Sequence, residues 1–304
     1  TTSLMLRIPA GHYYLEKDKA GTLSLLAQML NESTKRRSGE DMARELRKLG
    51  SSIDISVGKL YLNIDVNTLT KNLDDTLSLV LEKLRYPAWV DEEFDRIKKS
   101  AIEEIFLSKK ESSYLARTAY KQLLYGDSIA SMPFVGTEAT IDDISIDEVK
   151  DYFNQQVKPH DGQLIVVSDM QKSDIIEALS VLEGWSGRGR SLELQLPKTE
   201  LRKGVIYLVN KDKAAQSSIR IGKRSMKEDI TGEYFRSTLM NFALGGAFNS
   251  RINLNLREDK GYTYGARSYF SGDNLSGDYT VSTEVRADST EDSILQLMGE
   301  LEQY

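Results

Sequence analysis

The side chains that most often carry metal or nucleophile chemistry are nearly missing from this chain. Its 304 residues include no cysteine, and its two histidines, His12 and His160, lie far apart. Disulfides and thiolate metal sites are thereby excluded. A zinc site takes several His, Cys or carboxylate ligands, so this chain is poorly equipped to hold zinc alone. Two glycine-containing stretches suggest other chemistry, and each lacks its key residue. Gly245-Gly246 has no lysine beside a following Ser/Thr, as a phosphate-cradling loop requires, and reads as a helix-ending turn. The stretch 272–278, Gly-Asp-Asn-Leu-Ser-Gly-Asp, offers calcium-type oxygen ligands without the closing glutamate. It reads as a hairpin connection between strands at 268–270 and 279–281.

The bulk numbers fit a soluble protein of two domains. Apolar residues make up 40% and charged residues 28%, enough for a core in each of two domains of about 150 residues. The net charge of -6, with both signs interleaved, argues against a nucleic-acid partner, which would need a clustered basic stripe. No apolar run approaches ~18 residues, so no membrane span is expected. No signal peptide is visible, and bacterial periplasm and cytoplasm are both open.

The elements follow from periodicity. A strand is expected at 4–8. Leu23, Leu26, Ala27 and Leu30 fall on one face of a helix after Gly21. Ser38 can cap a second helix with core face Met42, Leu46 and Leu49, ended by Gly50. Alternating runs at 53–57 and 60–66 around Gly58-Lys59 predict a hairpin with one buried face. Leu77, Val80, Leu81 and Leu84 mark a helix that Pro87 terminates, and Phe94, Ile97, Ala101 and Ile105 form the stripe of a longer one. Ser145 and Glu148 form a capping box before a further helix. Leu164 to Val167 reads as a buried strand, and 175–182 as a closing helix. Residues 185–203 lose periodicity and read as a linker, and a second domain is expected to open with a strand at 205–209.

Part of this order repeats. The helix at 74–84 parallels 291–301, each has an alternating strand upstream, ending at Val66 and Val285, and Leu46-Arg-Lys-Leu-Gly50 parallels Leu256-Arg-Glu-Asp-Lys-Gly261. Three segments in order at an offset of about 210 residues indicate a duplicated domain. The expected fold class is α+β: two homologous domains, each a largely antiparallel sheet with helices packed on it. The expected boundaries are 1–184, a linker at 185–203, and 204–304, the second domain being incomplete and the chain trimmed at both ends.

On these residues the chain resembles the pitrilysin/insulinase-type zinc metallopeptidases. In that family the first helix reads Gly-x-x-His-x-x-Glu-His-Met, whereas here it reads Gly21-Thr-Leu-Ser24-Leu-Leu-Ala27-Gln28-Met29. The two zinc histidines are replaced by Ser24 and Gln28, and the general-base glutamate by Ala27. Glu104 falls where the family places its third ligand; by itself it reads as a helix-surface or capping carboxylate. The run from Pro133-Phe-Val-Gly136-Thr137 to Lys158-Pro-His-Asp161 follows the family's first-domain ending.

The second domain is similar to the family's Gly-Gly…Ser-Arg-Leu…Leu-Arg-Glu…Gly-x-x-Tyr signature through Gly245-Gly246, Ser250-Arg251, Leu256-Arg257-Glu258 and Gly261 to Tyr264. The resemblance implies that Arg257 and Tyr264 serve in trans: guanidinium holds substrate carbonyls, and the phenol donates to an oxyanion. It implies a non-catalytic half with no metal of its own, zinc in a partner half that is fused or separate, and a peptide substrate. By themselves Arg257 reads as a surface ion pair and Tyr264 as a half-buried strand tyrosine. The alternative function is a purely structural, core-type subunit of a larger complex.

Overall fold

The structure is a computed structural model, and it describes residues 1–194, 196 and 205–304. In chain order the elements are β1 (Thr2–Ile8), α1 (Thr22–Asn31), α2 (Gly39–Leu49), β2 (Ser52–Val57), β3 (Leu62–Thr68), α3 (Leu73–Arg85), α4 (Asp91–Ser108) and α5 (Ser112–Tyr125). There follow α6 (Glu138–Asp143), α7 (Ile146–Gln156), β4 (Gln163–Val167), α8 (Lys172–Leu179), β5 (Gln216–Ser225), α9 (Glu233–Asn241), α10 (Arg251–Asn253), β6 (Thr263–Gly272), β7 (Gly277–Arg286) and α11 (Thr290–Gln303). Phe242–Gly246 and Leu254–Asp259 are π-helical turns that continue α9 and α10. The chain divides into two compact units, Thr1–Phe106 with Ser128–Gln195, and Leu107–Asp127 with Leu196–Tyr304.

In the first unit the strands lie in the order β2-β3-β1-β4, every neighbouring pair antiparallel. One face carries Leu4, Ile8, Ile55, Leu62, Ile64 and Val66 into a core shared with α1, α3 and α4. The boundaries follow local chemistry. Ser38 accepts from the Asp41 N–H at the start of α2, and Gly50 ends that helix in the left-handed conformation (φ 62°). Both halves of the Ser145/Glu148 capping box form at α7. The β2–β3 hairpin forms, but its second strand starts at Leu62 rather than 60, because the carbonyls of Gly58, Lys59 and Leu60 accept from the backbone N–H groups of residues 11–13. β4 was expected to be buried; it is an edge strand, paired with β1 alone among the described strands, and Val167 is 69% exposed.

The second unit repeats the first with different details. Its sheet runs β5-β7-β6, the same spatial order as β1-β3-β2, and the same helix, helix, hairpin, helix succession follows the first strand. Gly261 (φ 63°) stands where Gly50 stands, and both reverse the chain from helix to strand in the left-handed region open to glycine. Two expectations need correction. The strand matching β1 is β5, which periodicity did not single out, and 205–209 belongs to none of the described strands, with Leu208 87% exposed. The apolar run alone suggested a strand there, but a strand exists only where a neighbour accepts its ladder. Of the expected linker, 185–194 carries no helix or strand, while 195 and 197–203 lie outside the described residues.

The β5-β7-β6 sheet has helices on both faces. One face buries Ile219, Val281, Val285 and Ala266 against Leu244, Ile252, Leu256 and Leu297. On the other lies α5, whose Tyr120 hydroxyl bonds Thr280 Oγ1 (2.9 Å) and the Tyr279 carbonyl (3.1 Å). Lys121 and the Tyr125 hydroxyl both reach the buried Asp278 at 2.9 Å. Thus the segment 107–127, which contains α5 and precedes every strand of the second sheet in sequence, is packed with that sheet.

Candidate functional site

Helix α1 was expected to bury one stripe. It is buried almost all round instead, resting on β2 and against α3 and α7; only Ser24 and Gln28 are partly exposed, and the terminal Asn31 is exposed. Ser24 and Gln28 are four residues apart and therefore share a face. Ala27 lies in the core at 7% exposure. The C-terminal end of α1 is closed by Lys83, whose ammonium donates to the carbonyls of Leu30 (3.0 Å) and Asn31 (3.1 Å). Burial of Lys83 lowers its pKa to about 8.

These residues do not fit a zinc ion. A hydroxyl and a neutral carboxamide are weak ligands compared with imidazole, and a methyl group cannot serve as a base. Glu104 is exposed on α4, at the flank of the stripe formed by the buried Phe94, Ile97, Ala101 and Ile105, and has no hydrogen bond or ion pair among the described residues. No cluster of three His, Cys, Asp or Glu side chains able to hold a metal exists among the described residues. His12 is buried, its Nε2–H donating to the Ile129 carbonyl (3.1 Å), and desolvation lowers its pKa to about 4. It is a core histidine. A cavity of about 400 Å³ lined by Asp74, Asp174, Glu177 and Met170 touches none of the α1 positions.

Arg257 and Tyr264 occupy the least regular part of the second unit. Arg257 sits on the π-helical turn Leu254–Asp259, its guanidinium stacked over the Phe248 ring at 4.4 Å and 3.6 Å from Glu258. The link to β6 is closed by backbone bonds from Lys260 to Asn255 and from Tyr262 to Leu256, and the Tyr262 hydroxyl donates to Asp292 (2.8 Å). β6 then bulges. Thr263 pairs with Val285 and Ala266 with Thr283, so Tyr264 and Gly265 together oppose Glu284. Such a bulge re-aims a side chain. Tyr264 is 92% exposed, with no partner among the described residues, and is therefore not the half-buried strand tyrosine of the plain reading.

Gly245 has a packing reason to be glycine: a Cβ there would fall 2.1 Å from Ser268 Oγ and 2.5 Å from Ser268 N. The π-helical turn thus lies directly on β6, the strand that carries Tyr264. Sequence reading passed over Phe248, the ring under Arg257. Its only signal was an aromatic residue in a polar loop, and it is 71% exposed.

A family model described as "Insulinase (Peptidase family M16)" matches residues 1–131, and one described as "Peptidase M16 inactive domain" matches 143–304. The chain belongs to peptidase family M16. Similar proteins include the Helicobacter pylori "Non-peptidase homolog YmxG", 24% identical over 84% of this chain and 59% of that protein. Another is the Bacillus subtilis "Uncharacterized zinc protease YmxG", 22% identical over 86% of this chain and 63% of that protein. The chain therefore spans about three fifths of the length of these relatives. The crystal structure of a peptidase M16 inactive domain from Pseudomonas fluorescens superimposes with a TM-score of 0.91, at 21% identity, covering all of this chain and 73% of that one. Within M16, residues 143–304 match the model described as the inactive domain, and α1 of the first unit presents Ser24, Ala27 and Gln28.

Proposed function

We propose that this chain is the non-catalytic half of an M16 zinc metalloendopeptidase. It pairs with a zinc-bearing half, fused or separate, to enclose a chamber in which extended peptides are cleaved. The zinc and the base belong to the partner. This half supplies the guanidinium of Arg257, which holds substrate carbonyls, and the phenol of Tyr264, which donates to the oxyanion. The observation that carries the reading is Tyr264 itself: a bulge turns it out of the sheet and leaves its hydroxyl uncommitted. A side chain kept only for scaffolding has no physical need of that exposure. Arg257, held by Phe248, presents a fork whose stem is already ordered, which lowers the entropy lost on binding.

The full-length protein mixed with its zinc-bearing half tests this. Cleavage is expected from the mixture, sensitive to chelators, and from neither half alone. Tyr264→Phe should reduce kcat by roughly 100-fold, the scale of one lost oxyanion donor, whereas Arg257→Ala should act chiefly on KM. Full activity of the Tyr264→Phe mixture would favour a purely structural subunit.

A further inference from the structure

The β5-β7-β6 sheet has a cationic row on the face that α5 covers only in part. Arg220 on β5 and Arg267 on β6 are both in register with Ser282 on β7, so the three residues form one cross-strand row. Their neighbours along each strand, Ile219, Val281 and Ala266, are buried in the core on the opposite face, which fixes the row on the outer side. α5 covers the end of this face marked by Thr280 and Asp278. The next row in the other direction holds Glu284 and the bulge with Tyr264. The two arginine Cα atoms are thus about 10 Å apart across the central strand, with the short side chain of Ser282 between them.

On this face Arg220 is paired with Glu284 and Arg286 with Asp288 (3.2 Å). Lys121 already neutralises Asp278. Arg220 lies 3.5 Å from Glu284 and is 17% exposed. Arg267 is exposed and has neither hydrogen bond nor ion pair among the described residues.

We propose that Arg267, with Arg220 across Ser282, binds a carboxylate of the substrate peptide and makes acidic peptides the preferred class; this rests on the reading that peptide crosses this face beside Tyr264. Guanidinium forks match a carboxylate bidentately, and two of them straddling a serine leave room for one. The carboxylate comes from an Asp or Glu side chain or from the peptide C-terminus.

Binding of labelled extended peptides to the full chain, followed by fluorescence anisotropy at low salt, tests this. The peptides differ only in Glu against Gln, each made as C-terminal acid and as amide. Carboxylate-bearing peptides should bind roughly five- to tenfold more tightly, with the advantage shrinking in high salt. Whichever substitution removes that advantage, side chain or terminus, names the source. Arg267→Gln should bring the ratio to within about twofold and Arg267→Lys should restore part of it. Ser282→Glu, which fills the row with a carboxylate and removes no cation, should abolish the preference. A preference that survives Arg267→Gln, or its absence in the wild type, overturns the proposal. The reading of Tyr264 is judged separately: Tyr264→Phe should cut cleavage without moving the Glu:Gln ratio.

Discussion

The two units are copies of one frame that have kept different things. In the first, the helix after the leading strand is regular and sealed, with seven of its ten residues buried and its last carbonyls closed by Lys83. In the second, the matching helix runs into a π-helical turn, the next helix does the same, and the following strand bulges. In the first copy Ala27 packs in the core, and Ser24 and Gln28 share the one partly exposed face of α1. The second retains irregular backbone, and it is there that Arg257 and Tyr264 stand away from the core. π-helical turns and bulges are found disproportionately at functional sites, which is why the proposed function rests on the second unit.

The sharpest way to break this comparison is to return a carboxylate to α1. Ala27→Glu puts the charge into a core position and should destabilise the first unit by on the order of 3 kcal/mol in denaturant unfolding. Gln28→Glu on the half-exposed side should cost about 0.5 kcal/mol. Equal, small costs would mean that α1 is not sealed.

His12 sharpens the same point through pH. Its pKa is about 4 in the folded unit against 6.5 in an unfolded chain, so between those values the unfolded state binds more protons. Its contribution is complete above pH 6.5 and is lost as pH falls towards 4, about 3 kcal/mol in all. That part of the pH slope should vanish in His12→Gln, as measured by urea unfolding across the window.

A smaller effect than that of His12 tests the duplication. Gly50→Ala and Gly261→Ala each force a side chain into the left-handed region and should each cost about 1 kcal/mol. Thermal unfolding that gave one a cost and the other none would separate the two positions.

Much of the fold was legible. Ser38, Gly50, Pro87 and the Ser145/Glu148 box place helix ends because capping is settled within four residues. The residue types at 24, 27 and 28 were legible too, since identity needs no coordinates. The strands were read less well. Residues 205–209 look more like a strand than β5 does, yet β5 has the partner, and 164–167 look buried yet lie at an edge. The exposure of Tyr264 was not legible either, because the bulge depends on which residue of β7 each residue of β6 meets.

The sequence by itself determined the duplicated α+β order, the absence of cysteine and the Arg257–Tyr264 spacing, because each rests on residue type or on neighbours along the chain. Only the tertiary structure decided that α1 is enclosed on nearly every side, that α5 lies on the second sheet, and that Arg220, Ser282 and Arg267 form one row. Those facts depend on strand register and on packing between segments more than a hundred residues apart, which no local pattern encodes.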